Sequence, residues 1–81
     1  MMGRYLDGPT VPFQTAAQRR ALIGKTVRYL RNCDIDRSGR GLLFPRIGEV
    51  VDAWGSEIFF DNGSSVVRGD LVEVEIIGDT T

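Results

Sequence analysis

Histidine is absent from this sequence, and cysteine occurs only once among its 81 residues. Without imidazole, the chain lacks the usual neutral-pH general base, the His-dependent nucleophilic triads and most catalytic metal sites. The single Cys33 excludes an intrachain disulfide, which favours a reducing cytoplasm as the compartment. No base stands next to Cys33, so we interpret it as an inert thiol. The composition predicts a protein that is not an enzyme, with no catalytic residues and no cofactor.

Long apolar runs are also missing. No run approaches the ~20 apolar residues that a membrane helix needs, and the first residues lack the basic-then-apolar pattern of a signal peptide. We therefore expect no membrane partner. Hydrophobic residues make up 42% of the chain and charged residues 26%, which is typical of a soluble globular protein. The length allows one domain with one modest core.

Lysine is scarce, since nine of the ten basic residues are arginine. Residues 1–46 carry nine basic and three acidic side chains, a net charge of +6, whereas residues 47–81 carry one and eight, a net charge of −7. This division can mark an anionic partner for the basic half. It is also explained by two halves whose opposite charges pair across one compact β domain. Arginine suits bidentate and stacked contacts, which favours an interface.

The order of turn residues and apolar residues predicts three segments. Residues 1–14 contain two glycines, two prolines and no periodicity, which indicates a flexible or loosely docked arm. Thr15 is a suitable helix cap and Gly24 a suitable stop, so residues 15–23 are predicted to form a short helix. Residues 24–78 are predicted to form a β domain with strands at 25–31, 47–54, 57–61, 64–68 and 72–77. The long connection 32–45 lacks a strand pattern, and loops of that length are often functional.

Two tight turns predict the register of the middle strands and therefore the faces of the sheet. Gly55-Ser56 suits a two-residue type II′ turn, and Asn62-Gly63 suits a two-residue type I′ turn. The resulting register places one set of side chains on an inner, core face: Val51, Ala53, Ile58, Phe60 and Val67. It places a second apolar set on the opposite face: Val50, Trp54, Phe59 and Val66. This second set is expected to be covered by the helix and arm, buried in a homodimer, or open as a binding patch. A β-bulge near Val50 would instead turn Val50 inward.

Three runs carry a resemblance to a known fold: residues 46–50 (RIGEV), 58–63 (IFFDNG) and 67–72 (VRGDLV). With five short strands, a long first loop and two tight hairpins, the chain resembles the KOW- and Tudor-like members of the SH3-like barrels, which occur among bacterial and prophage proteins. The resemblance covers residues 24–77. It implies a mostly β, five-stranded SH3-like barrel that binds peptide, RNA, DNA or another subunit near the long first loop and the hairpin facing it. Fold alone does not choose among these partners.

Two segments resemble known motifs without completing them. Residues 34–45 echo a calcium-binding loop through Asp34, Asp36 and Gly39, but Pro45 stands where the bidentate acid is needed. We therefore predict no metal site. The tripeptide at residues 68–70 (RGD) is interpreted as a tight turn before a strand.

These patterns together predict a non-enzymatic protein-interaction or assembly module, with a protein partner or self-association. Its expected surfaces are the long loop and the outer apolar patch, because Trp and Arg often dominate interface energetics. The alternative is a nucleic-acid-binding module whose loop arginines contact phosphates, although the acidic second half counts against it. The candidate partner-binding residues are Arg37, Arg40, Phe44, Val50, Trp54, Phe59 and Val66.

Overall fold

The fold is mostly β, with five antiparallel strands in one sheet and one short α-helix. A computed structural model describes residues 6, 8–35 and 43–79. Helix α1 spans Ala16–Arg20, and the strands are β1 Lys25–Arg31, β2 Arg46–Trp54, β3 Glu57–Phe60, β4 Ser65–Val67 and β5 Leu71–Asp79. The predicted class and number of strands are confirmed. The strand order is β4-β3-β2-β1-β5. Within the described residues the two end strands do not pair, so the sheet is open and not a closed barrel.

Helix α1 begins at the predicted cap and ends earlier than predicted. The Thr15 hydroxyl accepts from the Gln18 N–H (3.1 Å), and the Gln18 side chain accepts from the Thr15 N–H (3.0 Å), which completes a capping box. Beyond Arg20 the chain tightens into a turn, and Gly24 with a φ of 88° leads it into β1. Nowhere in the described residues does a helix have the length and apolar character needed to cross a membrane.

Strand β2 belongs to two halves of the sheet and bends between them. Residues 46–49 pair with β1, whereas residues 50–54 pair with β3. Both Val50 and Asp52 have partners on β3, and Val51 is the extra residue of a β-bulge. The bulge shifts the alternation by one position, so Val50 is fully buried and Val51 is 49% exposed. The expectation that Val51 faces the core and Val50 faces outward was therefore wrong.

The β2–β3 hairpin has the predicted turn. Gly55 has a φ of 62°, as a type II′ turn requires at its first central position. Trp54 lies opposite Glu57, Ala53 opposite Ile58 and Asp52 opposite Phe59, as the sequence predicted.

The β3–β4 hairpin has a longer loop than predicted, and its register differs by one residue. Gly63 has a φ of 88°, but Asn62 does not have the positive φ that a type I′ turn needs. The Gly63 N–H donates to the Phe60 carbonyl (3.1 Å) and the Phe60 N–H donates to the Ser64 carbonyl (2.9 Å), which closes a three-residue loop. The Asn62 Oδ1 accepts from the Ser64 N–H (2.9 Å) and stabilises this loop. Ile58 therefore faces Val66 and Glu57 faces Val67.

The change of register exchanges the roles of two neighbouring valines. Val66 is buried in the core and Val67 is 44% exposed, the reverse of what the two-residue turn predicted. The core lies on the inner face of the sheet and is completed by two side chains from outside it, Phe13 and Leu22. Its buried members are Phe13, Leu22, Val27, Tyr29, Val50, Ile58, Phe60, Val66, Leu71 and Val74.

The segment before α1 runs along the edge of β5 that β1 leaves free. Thr10 forms an antiparallel bridge with Glu75, and the Val11 N–H donates to the Val74 carbonyl (2.8 Å). On the outer face, the Leu6 N–H donates to the Glu73 carboxylate (2.7 Å). Phe13, further along, is buried in the core on the inner face. The described part of the predicted arm is thus docked around one edge of the sheet.

Candidate functional site

The outer face of β2, β3 and β4 presents two cross-strand rows of three side chains. One row contains Trp54, Glu57 and Val67, and the other contains Asp52, Phe59 and Ser65. Residues directly opposite one another share a face, and alternate residues of a strand do too, so the six side chains form one surface. We call this surface the outer face patch. It is held by three hydrogen-bonded strands and two tight turns.

The centre of the outer face patch is an aromatic pair, in which Trp54 is exposed and Phe59 is half-buried. The rings of Trp54 and Phe59 are stacked, with centroids 5.5 Å apart and planes inclined by 17°. Trp54 is 63% exposed, and Val67 in the same row is 44% exposed. A contiguous exposed patch of large apolar side chains often marks a binding site on a protein surface.

Carboxylates lie among these apolar side chains. The Glu57 Oε2 accepts from the Ser65 hydroxyl (2.6 Å), and the Asp52 Oδ1 accepts from the Ala53 N–H (2.8 Å). Asp61 follows β3 at the margin of the patch, where its N–H donates to the Glu49 carbonyl (3.0 Å). The outer face patch itself carries no basic side chain, so it combines an apolar centre with negative charge.

The structure separates the candidate residues predicted from the sequence. Trp54 and Phe59 lie together on the outer face patch, as expected. Val50 and Val66 are buried in the core and do not belong to the patch, because the bulge and the three-residue loop turn them inward. Phe44 is 59% exposed but lies at the base of the long loop, away from the patch. Arg37 and Arg40 lie outside the described residues.

The base of the long first loop is fixed by a buried carboxylate. Asp34 accepts from the Arg31 Nε (2.9 Å) and Nη2 (3.1 Å), and the Arg46 Nε lies 3.5 Å from its Oδ1. The hydrogen bonds from Arg31 hold the pKa of the Asp34 carboxyl below its usual value of 3.8. The Phe44 N–H donates to the Asp34 carbonyl (2.9 Å), and Ile35 bridges Leu43. These contacts tie the two ends of the loop together.

Two roles were not predicted from the sequence: Val67 lies on the surface and Asp34 stabilises the base of the loop. A three-residue loop with glycine in its last position is the other common hairpin for this kind of sequence. Applied to residues 61–63, it would have placed Val67 beside Glu57. For Asp34, the signal in the sequence is its position three residues after Arg31, because a turn can bring two side chains at this spacing into contact.

Comparison with known proteins identifies no relative: no family model, no curated protein and no solved structure matches this sequence. The chemistry of the outer face patch and of the loop base is therefore the guide to function.

Proposed function

We propose that this chain is a non-enzymatic protein-interaction or assembly module that contacts its partner through the outer face patch. The observation that carries the proposal is the stacked pair of Trp54, which is exposed, and Phe59, which is half-buried, on one face of the sheet. Tryptophan is enriched among the residues that dominate binding energy at interfaces. An aromatic side chain held by its neighbour also loses little conformational entropy on binding.

We also propose that the fold belongs to the SH3-like class, whose members are commonly binding modules. Three features support the proposal: a second strand shared between two halves of the sheet, the order β4-β3-β2-β1-β5, and a 3-10 helix over Arg68–Asp70 that connects β4 to β5.

The alternative function, nucleic-acid binding through arginines of β1 and the long loop, has less support. Arg28 Nη1 lies 2.8 Å from the Glu75 carboxylate, and Arg31 and Arg46 both contact Asp34. Arginines that are paired in this way have less positive charge to offer a phosphate backbone. The ion pair between Arg28 and Glu75 also joins the basic half of the sequence to the acidic half. It supports the explanation that the opposite charges of the two halves pair across one domain.

The proposal is tested with Trp54→Ala and, as a matched control, Phe44→Ala, which removes an exposed aromatic ring away from the patch. We expect Trp54→Ala to abolish self-association or the capture of a reproducible set of partners, measured by sedimentation and by affinity capture with mass spectrometry. Phe44→Ala should retain both. The loss of stacking on Phe59 should cost only about 1 kcal/mol of stability.

Two other results would contradict the proposal. If Trp54→Ala keeps the oligomeric state and partners of the wild type, the patch is not the contact surface. If Trp54→Ala unfolds the protein, Trp54 is part of the core in solution.

A further inference from the structure

The charge of the outer face patch restricts the kind of partner that fits it. Asp52 and Glu57 lie in the same two rows as Trp54, Phe59 and Val67. A symmetric contact between two copies would place this acidic surface, which has no basic side chain, against the same acidic surface of the other copy, because both subunits of a twofold dimer use one surface. Like charges facing each other disfavour that contact. A nucleic acid is disfavoured for the same reason.

A basic side chain, by contrast, has two favourable partners on this surface. The Trp54 ring is stacked on Phe59 and is still 63% exposed, so a guanidinium or ammonium group can lie over it and make a cation–π contact. Glu57 lies opposite Trp54 in the register, and its carboxylate is directed toward β4, where it accepts from the Ser65 hydroxyl. A basic segment that approaches from β4 therefore meets the Glu57 carboxylate first and the Trp54 ring beyond it.

The position of β4 favours a partner in an extended conformation. β4 is an end strand of the sheet, and in the described part of the chain nothing pairs with its far side. The Arg68 N–H donates to the Ser56 carbonyl, and the Ser64 carbonyl accepts from the Phe60 N–H. Ser64 and Arg68 therefore turn their backbone groups toward β3. By alternation, the backbone N–H and C=O groups of Ser65 and Val67 point away from the sheet.

A strand added at this edge would lie about 4.8 Å from β4 and about 10 Å from β3. A long basic side chain on the outer side of that strand can therefore cross Val67 and meet the Glu57 carboxylate.

We propose, on the basis of the protein-interaction function, that the partner presents an extended Lys- or Arg-bearing polypeptide segment, which adds to the β4 edge and lays its basic side chains over Trp54 and Glu57.

The experiment uses a random-peptide display library as the probe. The wild-type protein is the bait, and binders that also bind Trp54→Ala are removed. We expect the remaining peptides to be enriched in Lys and Arg and depleted in Asp and Glu. Trp54 is the only tryptophan in the chain, so binding should shift the protein's fluorescence emission to the blue as the indole leaves water.

The charge requirement is then measured on individual peptides from the selection. The double variant Asp52→Asn/Glu57→Gln should weaken binding roughly threefold to tenfold, in keeping with two exposed ion pairs. The control Asp70→Asn removes a carboxylate that is not part of the patch and contacts Asn32 instead (3.5 Å), and it should leave the affinity unchanged. In a peptide strand paired with β4, only every second N–H group points toward β4. N-methylation of that set of amides should therefore abolish binding, whereas N-methylation of the other set should not.

Three results would overturn the inference. They are selected peptides that are neutral or acidic, an affinity that does not respond to Asp52→Asn/Glu57→Gln, and a selection that yields no Trp54-dependent peptide. These results differ from a failure of the proposed function itself. In that case the partners captured from the cell by the wild type would also bind Trp54→Ala.

Discussion

Asp34 shows how one buried side chain can hold a long loop in a small domain. Asp34 is 5% exposed, and its carboxylate accepts two hydrogen bonds from the Arg31 guanidinium and one from the Arg31 backbone N–H. Hydrogen bonds to a charged group are worth more than neutral ones. The loop base is therefore a significant part of the stability of this domain.

The ionisation of Asp34 should make this stability depend on pH. The pKa of Asp34 in the folded protein is below its ordinary value of 3.8 because Arg31 donates hydrogen bonds to the charged form. The ionised carboxylate therefore stabilises the fold above that ordinary value, and the contribution is lost as the pH falls through the folded-state pKa. We expect Asp34→Asn to lower the free energy of unfolding by about 2 kcal/mol near neutral pH.

Urea denaturation of the wild type and Asp34→Asn at a series of pH values measures this effect. The difference between the two proteins should shrink as the pH falls below 3.8 and through the lower folded-state pKa, where Asp34 of the wild type takes up a proton. Asp61→Asn, at an exposed turn, serves as the control and should change stability little. A difference that stays constant down to the lowest pH would show that the ionised form of Asp34 is not the stabilising one.

At the scale of elements, the loop between β3 and β4 decides which side chains reach the surface. One extra loop residue places Val66 in the core and Val67 on the outer face patch. A strand alternates with a period of two, so a slip of one residue exchanges the two faces along its whole length.

This register predicts opposite results for the same substitution at two adjacent positions. Val66→Lys would place an ammonium group in the core and should cost more than about 3 kcal/mol, whereas Val67→Lys should change stability by less than about 0.5 kcal/mol. Thermal unfolding followed by circular dichroism distinguishes the two variants. If Val67→Lys unfolds and Val66→Lys folds, the two-residue turn is the correct one.

The sequence predicts some of these elements well and others poorly, for local reasons. β1 was predicted at its observed bounds, and the Gly55-Ser56 turn and the Thr15 cap were predicted correctly, because each depends on residues close in sequence. The bulge at Val51 was foreseen only as an alternative and the three-residue loop was not predicted, since each is one of two local geometries compatible with the same residues. In the structure Val50 and Val66 lie in one core with Tyr29 and Phe60, and these long-range contacts are not visible in the local sequence. The outer face patch was therefore predicted correctly at Trp54 and Phe59 and incorrectly at Val50 and Val66.

At the scale of the whole molecule, residues before α1 are part of the fold. Phe13 is 6% exposed in the core, and Thr10 and Val11 pair with β5. Arg19 strengthens this connection, because its guanidinium donates to the carbonyls of Phe13 (3.1 Å) and Gly55 (3.0 Å). The N-terminal segment is thereby joined to both the core and the β2–β3 turn.

The same substitution, Phe to Ala, at two positions tests the importance of this segment. Phe13→Ala should cost about 3 to 5 kcal/mol, because it leaves a cavity in the core. That is comparable to the whole stability of a domain this small, so we expect a largely unfolded protein. Phe44→Ala removes the same ring from an exposed position and should leave the fold intact. Amide proton spectra of the two variants provide the measurement, and well-dispersed spectra for both would contradict a core role for Phe13.

The hydrogen bond between Leu6 and Glu73 has a consequence for the order of events during folding. The two residues are 67 positions apart, and Val11 and Val74 are nearly as distant in sequence. Contacts of such long range are formed late and slow the folding reaction, because the intervening chain must first be closed into a loop. During synthesis the segment before α1 therefore emerges from the ribosome long before β5, the strand with which it pairs, has been made. The native structure can be completed only after β5 has also left the exit tunnel.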